Sequence, residues 1–443
     1  MSAVRTATSN RPRSRPESGD LLEGVLRPGF DRTHVMIEKR GTQCFVLLDP
    51  KLIRHCFVKN AENYHQAQAR KRLAEPLLGE SILTGDGALS RSLRQTIGGL
   101  FNRPSLDLYS DCMVERTLQE LDGLKPGVHS ASDLAARLTL ANLSKSLFSG
   151  ALDARSDDIL HALDGVYEAM AGLPLEGEEG GVSYYPRIHR KSRNQAAAAF
   201  RSVLGNIITE RIGRDPDAAQ PDLLDRLIAL RQDQTSGSPT LEQMIDDVAT
   251  FVVAGHETTA SVIAWALYLV SQNEQVQRRV REEAIDVVSG GFAPREWPDR
   301  LHFTLACVEE TERLYPPAPI FTRQANDNDR VADIAIPAGS VVTLPVRLIH
   351  RMPRFWTEPD QFRPERFLAG NRSSVDRFAF LPFGLGPRMC IGSAFGNREA
   401  IIALAAILSR FDLAYAGSAA PIAELKFVLR NNNGIPLRLI AHS

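Results

Sequence analysis

One cysteine in a glycine-rich segment is the residue best placed for chemistry. Residues 383–392 read FGLGPRMCIG, so three glycines surround Cys390, and a helical pattern follows from Ala394. Glycines lack a Cβ atom, which lets the backbone approach a flat ligand and direct N–H groups at the sulfur. These N–H groups and the start of a helix stabilise a thiolate. A glycine-rich turn around a buried cysteine is the alternative that these residues alone leave open.

An acid followed by a threonine lies in the middle of a long apolar helical pattern, where residues 254–259 read AGHETT. A threonine hydroxyl that bonds the carbonyl oxygen four residues earlier, beside a glycine, opens a groove in a helix. Burial of this helix would make such a groove at Thr258, beside Glu257, a feature of the interior. A solvated helix face is the alternative for the same pair.

A glutamate and an arginine also face each other one helical turn apart, at Glu310 and Arg313. On a surface such a pair contributes only about 0.2–0.5 kcal/mol. Residues 364–367 read PERF and place Arg366 shortly before the cysteine segment. By itself this pattern therefore carries little weight.

The cysteine segment resembles Phe-x-x-Gly-x-Arg-x-Cys-x-Gly, the heme-binding loop of the cytochrome P450 monooxygenases. This resemblance implies heme b (iron protoporphyrin IX) as cofactor and Cys390 as the axial thiolate and metal ligand, whose electron donation favours O–O cleavage at iron. It also implies that Phe383 shields the sulfur and that Arg388 pairs with a heme propionate. The sequence has no Cys-x-x-Cys-His motif, so covalent heme attachment is not implied.

The other motifs resemble the same family. The AGHETT segment resembles its oxygen-binding motif, which implies that Thr258 holds the distal oxygen and its water, while Glu257 brings protons from solvent. Glu310, Arg313 and Arg366 resemble the Glu–Arg–Arg cluster that locks the cysteine loop against its helix.

Two further arginines resemble residues that bind heme propionates. Arg323 matches the arginine of a sheet strand that follows a Pro-Pro turn, and Arg94 matches the arginine of a Trp-x-x-x-Arg helix motif. Ser90 stands where the family has the tryptophan, which is a departure from the pattern.

The elements that must position these residues are mostly helical. Helical spacing of apolar residues predominates from Leu106 to about Val280. Thr240 and Gln243 form a capping-box pattern that predicts a helix of about 30 residues, apolar on several faces and therefore central in the molecule. Within it, Gly255 indicates a need for backbone room or a local bulge.

Short β-rich runs lie on either side of the helical part. Residues 34–39 and 42–48 predict a hairpin, and residues 331–336 and 340–344 predict two strands joined by a turn at 337–339. The fold class is therefore α+β and mostly helical. The resemblance makes it the cytochrome P450 fold, with a long central helix and a smaller β-rich side.

Composition limits the other possibilities. The 443 residues carry 52 Lys plus Arg against 53 Asp plus Glu, so no overall field favours nucleic acid. The sequence contains no run of 18 apolar residues, and therefore it predicts no transmembrane anchor. Five cysteines without short spacings argue against a disulfide framework and fit a reducing cytoplasm. Residues 1–20, rich in Arg, Ser and Pro, predict a disordered tail, with a transit peptide as the alternative, and residues 21–443 a single domain.

These observations predict a heme-thiolate monooxygenase that inserts one oxygen atom of O2 into a lipophilic substrate such as a terpenoid, fatty acid or steroid. We expect the electrons to come from a separate ferredoxin or flavodoxin, docked on a basic patch formed by Arg372, Arg377, Arg388 and Arg398. The alternative is that these arginines are scattered or tied to propionates and carboxylates, with Arg388 the first candidate for such a tie. A peroxide-driven peroxygenase is the alternative enzyme, but it would not need Glu257 and Thr258. A non-catalytic heme sensor is the alternative outside enzymes, and it would gain nothing from a proton relay.

Overall fold

The computed structural model describes residues 32–39, 41–170, 189–212, 221–232 and 240–442. The tail predicted at 1–20 and the loop predicted at 174–181 lie outside these residues, as does most of a second predicted loop at 215–221.

Helices make up most of the described chain. They are α1 Pro50–Arg54, α2 Gln68–Leu78, α3 Gly87–Gly98, α4 Arg103–Asp122, α5 Ala131–Phe148, α6 Ser156–Met170, α7 Arg190–Ile212, α8 Leu223–Gln232, α9 Leu241–Ser271, α10 Glu274–Ser289, α11 His302–Leu314, α12 Val346–Ile349, α13 Ala369–Arg372 and α14 Ser393–Leu408. A π-helical turn follows α1 at His55–Lys59, and short 3-10 turns lie at Ala61–Asn63, Gly99–Phe101, Asp153–Arg155, Pro294–Asp299, Pro364–Phe367 and Gly386–Arg388.

The strands are short and form four small sheets. They are β1 His34–Lys39, β2 Thr42–Leu47, β3 Tyr64–Gln66, β4 Gly127–Ser130, β5 Phe321–Ala325, β6 Asp329–Val331, β7 Ile334–Ile336, β8 Val341–Leu344, β9 Phe411–Tyr415, β10 Ala423–Leu425, β11 Leu429–Asn431 and β12 Pro436–Ala441. The largest sheet has the order β1-β2-β8-β5-β3, and a second has the order β4-β12-β9. Only the β2–β8 pairing is parallel, and β6–β7 and β10–β11 are separate hairpins.

The strand predictions hold with one correction. The predicted N-terminal hairpin is confirmed, since His34 pairs with Leu47 and Lys39 with Thr42. The prediction of one continuous strand over residues 331–336 is wrong. These residues hold the end of β6 and all of β7, because the backbone turns at Ala332, where φ is 54°.

The long helix α9 runs through the middle of the fold, as predicted. The Thr240 hydroxyl accepts the Gln243 N–H at 3.2 Å, and the Gln243 side chain accepts the Thr240 N–H at 2.7 Å, which completes the capping box. The helix has 31 residues, is buried over most of its surface, and packs against α5, α7, α11 and α14.

The glycine within α9 gives room to a neighbouring helix. A Cβ atom on Gly255 would lie 2.8 Å from Cδ1 of Leu143 in α5. Because α9 is an unbroken α-helix here, close packing of α5 explains this glycine, and the local bulge that the sequence left open is not formed.

The core has two main parts. The larger is built from the helices around α9, and the smaller lies under the five-stranded sheet, including Phe45, Leu344 and Leu381. Within the described residues, no helix combines the length and apolar character that a bilayer span requires.

Candidate active site

The cysteine segment folds into a tight loop ahead of α14. The Cys390 N–H donates to the Phe383 carbonyl oxygen at 3.0 Å, and the Met389 N–H donates to that of Gly386, also at 3.0 Å. Gly384 and Gly386 have φ values of 69° and 73°, in the left-handed region that glycine adopts readily. The glycines predicted to allow close backbone approach therefore shape the loop itself.

One of these glycines also fits the loop against the π-helical turn after α1. A Cβ atom on Gly386 would lie 2.0 Å from the carbonyl oxygen of Phe57. Backbone packs directly on backbone at this contact, so a side chain has no space there. π-helical turns are rare and often occur at functional sites.

The thiol of Cys390 is accessible to solvent on one side but surrounded by protein on the others. Burial raises the pKa of this thiol, and Glu312 acts in the same direction. The Gly392 N–H, which bonds the sulfur, and the positive charge of Arg94 act the other way and favour the thiolate. A bound metal ion deprotonates a coordinating thiol outright, so the loop presents a ligand that becomes a thiolate on coordination.

Three arginines from distant parts of the chain converge beside this loop. Arg94 in α3 donates to the Met389 carbonyl oxygen at 2.8 Å. Arg388 donates to the Gly85 carbonyl oxygen at 2.7 Å and pairs with Asp86 at 2.5 Å. Arg323 in β5 is buried and bonds the side chain of Gln66 at 3.2 Å. The structure therefore brings together the three arginines that the resemblance assigned to heme propionates.

The charges around Arg323 test whether an anionic cofactor fits. Burial, together with the positive charges of Arg70, Arg388 and Arg94, lowers the pKa of Arg323 to about 9 against the opposing charge of Asp86. Among the described residues, the Nε atom of Arg94 is buried without a hydrogen-bond partner. Buried cations outnumber nearby acids at this wall, so the wall suits a ligand that carries carboxylates. Heme has two such carboxylates, and it would lie beside the cysteine loop.

The position of the missing tryptophan is filled by packing. Ser90 is buried, and its hydroxyl donates to the Ile82 carbonyl oxygen at 3.4 Å. Arg94 one turn later still reaches the cysteine loop, so the departure at Ser90 does not displace that arginine.

On the central helix, the predicted acid–alcohol pair lies beside a stripe that the protein leaves uncovered. Ala254 is exposed and Gly255 and Thr258 are half-buried, whereas the next turns of α9 are buried. The Thr258 hydroxyl donates to the Ala254 carbonyl oxygen at 2.6 Å, the bond that the sequence predicted. Its hydrogen is used in this bond, so its oxygen remains able to accept one from a ligand.

Glu257 is buried next to that stripe. Burial raises the pKa of Glu257 to about 7; Arg430 and Lys426 oppose this shift, and Asp164 adds to it. Its carboxyl group therefore exchanges its proton near neutral pH, which is the range in which a general acid works best. The Glu257 carboxyl group can therefore carry a proton, and the oxygen of Thr258, the next residue on the helix, can accept a hydrogen bond.

The Glu–Arg–Arg cluster is formed and deeply buried. Arg313 makes two hydrogen bonds to Glu310 at 2.7 and 2.8 Å, and Arg366 reaches Glu310 at 3.3 Å. Arg313 also donates to the carbonyl oxygens of Pro359 and Gln361. The cluster thus holds the segment before the cysteine loop rather than the loop directly, which corrects the contact that the resemblance implied.

A histidine that the sequence did not single out links the cluster to the loop. His350 accepts the Leu381 N–H at its Nε2 atom, at 2.8 Å, and its Nδ1 atom lies 3.1 Å from the Arg313 carbonyl oxygen. Burial lowers the pKa of His350 to about 3, so the ring is neutral and can donate from one nitrogen and accept at the other. No motif marks this residue in the sequence.

The predicted basic patch is only partly present. Arg398 is buried and bonds Ser110 and Asp107, because it packs between α14 and α4. Arg388 points at Asp86, and Arg372 pairs with Glu309. Arg377 remains exposed, over the ring of Phe378. The inclusion of Arg398 in a surface patch was therefore wrong, whereas the tie of Arg388 to a carboxylate is the alternative that the sequence left open.

Known proteins give matches over nearly the whole chain. The family model described as Cytochrome P450 matches residues 32–437. The chain is 30% identical over 406 residues to cyclooctatin synthase of Streptomyces melanosporofaciens, covering 90% of this chain and 84% of that protein. It is 28% identical over 407 residues to cyclooctat-9-en-7-ol 5-monooxygenase of the same organism, with the same coverage. Its fold resembles the retinoic acid-bound cyanobacterial CYP120A1, with a TM-score of 0.80, 21% identity and coverage of 96% and 95%.

Proposed function

Since the chain belongs to the cytochrome P450 family, and is thus a heme-binding monooxygenase that hydroxylates lipophilic substrates, we propose that Cys390 is its axial ligand. The support is the loop in which the Gly392 N–H and Arg94 favour the thiolate form of that one cysteine. We assign the propionates to Arg94, Arg323 and Arg388, supported by the excess of buried positive charge at this wall. Phe383 closes the loop through its carbonyl oxygen.

On the other face of the pocket, we assign proton delivery to Glu257 and Thr258. Heme with a thiolate ligand supplies the activation of dioxygen, which consumes two electrons and two protons for each oxygen atom inserted. Glu257 holds a proton near neutral pH within a buried environment. Thr258 offers an accepting oxygen at the uncovered stripe of α9, next to the small residues Ala254 and Gly255.

The ligand assignment is tested by replacing the thiol with a hydroxyl. Cys390→Ser should abolish the red-shifted Soret band that a thiolate gives in the reduced carbon monoxide complex, because serine is a far weaker ligand. Cys112→Ser is the matched control, since it removes a half-buried thiol on α4, and it should keep the band. Circular dichroism would show that both variants fold. A thiolate-type band in Cys390→Ser would overturn the assignment.

For the substrate, we propose a hydrocarbon-rich cyclic compound from among the lipophilic classes that the sequence left open. The support is the relative that is named as a monooxygenase of cyclooctat-9-en-7-ol. Ala254, a small exposed residue one turn before Thr258 on α9, leaves space for a bulky ring system. A spin-state change of the heme on adding such compounds, and none on adding linear fatty acids of equal carbon number, is the result that would support this choice.

The enzyme takes its electrons from a redox partner, and we propose that this partner is a separate ferredoxin or flavodoxin. Exposed Arg377 and the half-exposed side chain of Met389 beside the cysteine loop support docking of an acidic protein there. We also propose a single domain over residues 21–443, supported by the family match over 32–437. The five free cysteines support our proposal of a reducing compartment such as the cytoplasm.

A further inference from the structure

Two groups face opposite oxygens of the Glu257 carboxyl group. On one side, Nε2 of His256 lies 3.5 Å from Oε1. On the other side, Nε of Arg430 in β11 lies 3.6 Å from Oε2. The carboxyl group itself is almost fully buried. Each of its two protonation states therefore has a different neighbour to interact with.

The hydrogen bonds of Thr139 favour the tautomer of His256 that carries its proton on Nδ1. Thr139 donates its hydroxyl hydrogen to the Ala135 carbonyl oxygen at 2.9 Å. Its oxygen then accepts from Nδ1 of His256, which lies 2.8 Å away. Burial lowers the pKa of His256 to about 3, so the ring is neutral and Nε2 is a bare acceptor. A protonated Glu257 can donate to this acceptor, whereas a carboxylate can only be repelled by it.

Arg430 is held in place by the helix that carries Glu257. Ser261 lies one turn after Glu257 on α9, and its hydroxyl donates to the Leu429 carbonyl oxygen at 2.5 Å. Ser261 therefore fixes Leu429 of the β10–β11 hairpin to α9. Glu257, on the same face of α9, contacts Arg430, the residue after Leu429. The guanidinium group also lies 4.9 Å from the ring of Tyr167.

A row of side chains leads from Glu257 past Arg430 to solvent. Asp164 in α6 lies 3.4 Å from Arg430 and its side chain is 60% exposed, while that of Arg430 is 25% exposed and that of Glu257 is 5% exposed. Lys426 is the other cation that acts on Glu257. Tyr167 in α6 adds a buried hydroxyl without a hydrogen-bond partner among the described residues. Exposure therefore rises stepwise from the acid to the surface.

We propose that His256 and Arg430 are positioning residues that hold the acid and the carboxylate forms of Glu257 in turn, and that protons reach Glu257 past Arg430 and Asp164. The step is a proton transfer alone: the O–H bond at Oε1 breaks as water on the Thr258 side takes the proton, and a proton from bulk water then forms a new O–H bond on the carboxylate that Arg430 holds. This inference rests on the proposed role of Glu257.

The Arg430 half is tested by titrating Glu257 in the resting holoenzyme. Infrared spectroscopy follows the C=O band of the protonated carboxyl group, which Glu257→Gln identifies by its loss. Arg430→Gln should raise the pKa of Glu257 by about one unit, because an opposite charge within 4–6 Å is removed. Arg430→Lys should restore most of the shift. Arg438→Gln on β12 removes an equal charge elsewhere and should change nothing.

Asp164 supplies a test of the opposite sign. Its negative charge raises the pKa of Glu257, so Asp164→Asn should lower that pKa, by less than the Arg430 effect because Asp164 is more exposed. The pH dependence of the coupling of NAD(P)H use to product should follow the pKa in each variant, moving to higher pH in Arg430→Gln and to lower pH in Asp164→Asn. An Arg430→Gln titration that is unmoved or shifted downward would overturn the Arg430 half.

The His256 half has its own spectroscopic signature. His256→Phe removes the acceptor, so the C=O band of protonated Glu257 should move to higher wavenumber as its hydrogen bond is lost. Where this variant does not fold, Thr139→Ala serves instead, because it removes the acceptor that fixes the tautomer. A band that stays in place would overturn this half. If coupling is unchanged in Glu257→Gln, the proposed proton delivery fails, but the band shifts can still stand.

Discussion

At the scale of single residues, the hydroxyl of Thr258 has one defined hydrogen bond, to Ala254. We expect Thr258→Ala to keep the heme spectrum and to lower the product formed per NAD(P)H by roughly tenfold, because the proton acceptor at the uncovered stripe is removed. The missing reducing equivalents should appear as peroxide or water. Peroxide assays alongside product assays measure this division.

The matched variant is Thr258→Ser, which retains the oxygen and removes only a methyl group. It should keep most of the coupling. Equal coupling in the alanine variant and the native enzyme would remove Thr258 from the mechanism. An equal loss in both variants would point to packing of the methyl group instead.

Local sequence was sufficient to predict the hydrogen bond of Thr258, but not the contacts of the other residues of the site. The bond from Thr258 to Ala254 joins residues four apart, and therefore helical spacing predicts it. The partner of Arg388 is Asp86, which lies 302 residues away in the chain. His350 and Arg430 were missed for the same reason, since each gains its role from contacts that only the folded chain brings together.

At the scale of elements, the cysteine loop and the π-helical turn at His55–Lys59 depend on each other through Gly386. Gly386→Ala should sharply reduce heme retention, because the new Cβ atom would meet the Phe57 carbonyl oxygen at 2.0 Å and the backbone φ is 73°. Heme content after desalting and the thermal unfolding midpoint both measure this effect.

Gly339 offers a control with the same backbone strain and no contact. Its φ is 80°, and a Cβ atom there would meet nothing within 4 Å. Gly339→Ala should cost only the left-handed strain of about 1–2 kcal/mol and leave heme retention unchanged. Similar heme loss in both variants would show that strain, rather than the loop-to-turn contact, explains the result.

Some helices and strands could be predicted from local sequence, whereas others could not. The start and length of α9 were predictable because its capping box and apolar run lie within the continuous segment 240–271. The β6–β7 hairpin was not, because its turn depends on a non-glycine residue, Ala332, in the left-handed region. Such a turn has no sequence signal, since few side chains adopt that conformation readily.

At the scale of the whole molecule, a neutral chain must recognise its electron donor through local charge. Arg377→Glu should slow the first electron transfer from a ferredoxin about three- to tenfold at low salt, because exposed charges act mainly on the association rate. The effect should shrink as salt rises, since screening acts over about 8 Å at physiological ionic strength.

Arg438→Glu is the comparison, because it makes an equal change of net charge on an exposed position of β12. It should leave the rate unaltered. Equal slowing by both reversals would mean that net charge, and not docking beside the cysteine loop, controls the rate. Stopped-flow reduction under carbon monoxide records each rate directly.

The contact between Phe57 and Gly386 also has a consequence for how the chain is made. The turn that receives the loop emerges early from the ribosome, but Cys390 lies 333 residues after Phe57 and emerges on the order of 17 to 67 seconds later at usual rates of synthesis. The arginine Arg94 is likewise made long before the loop that it bonds. Heme capture therefore belongs to the last stage of biogenesis, after the early half of the pocket has already been made.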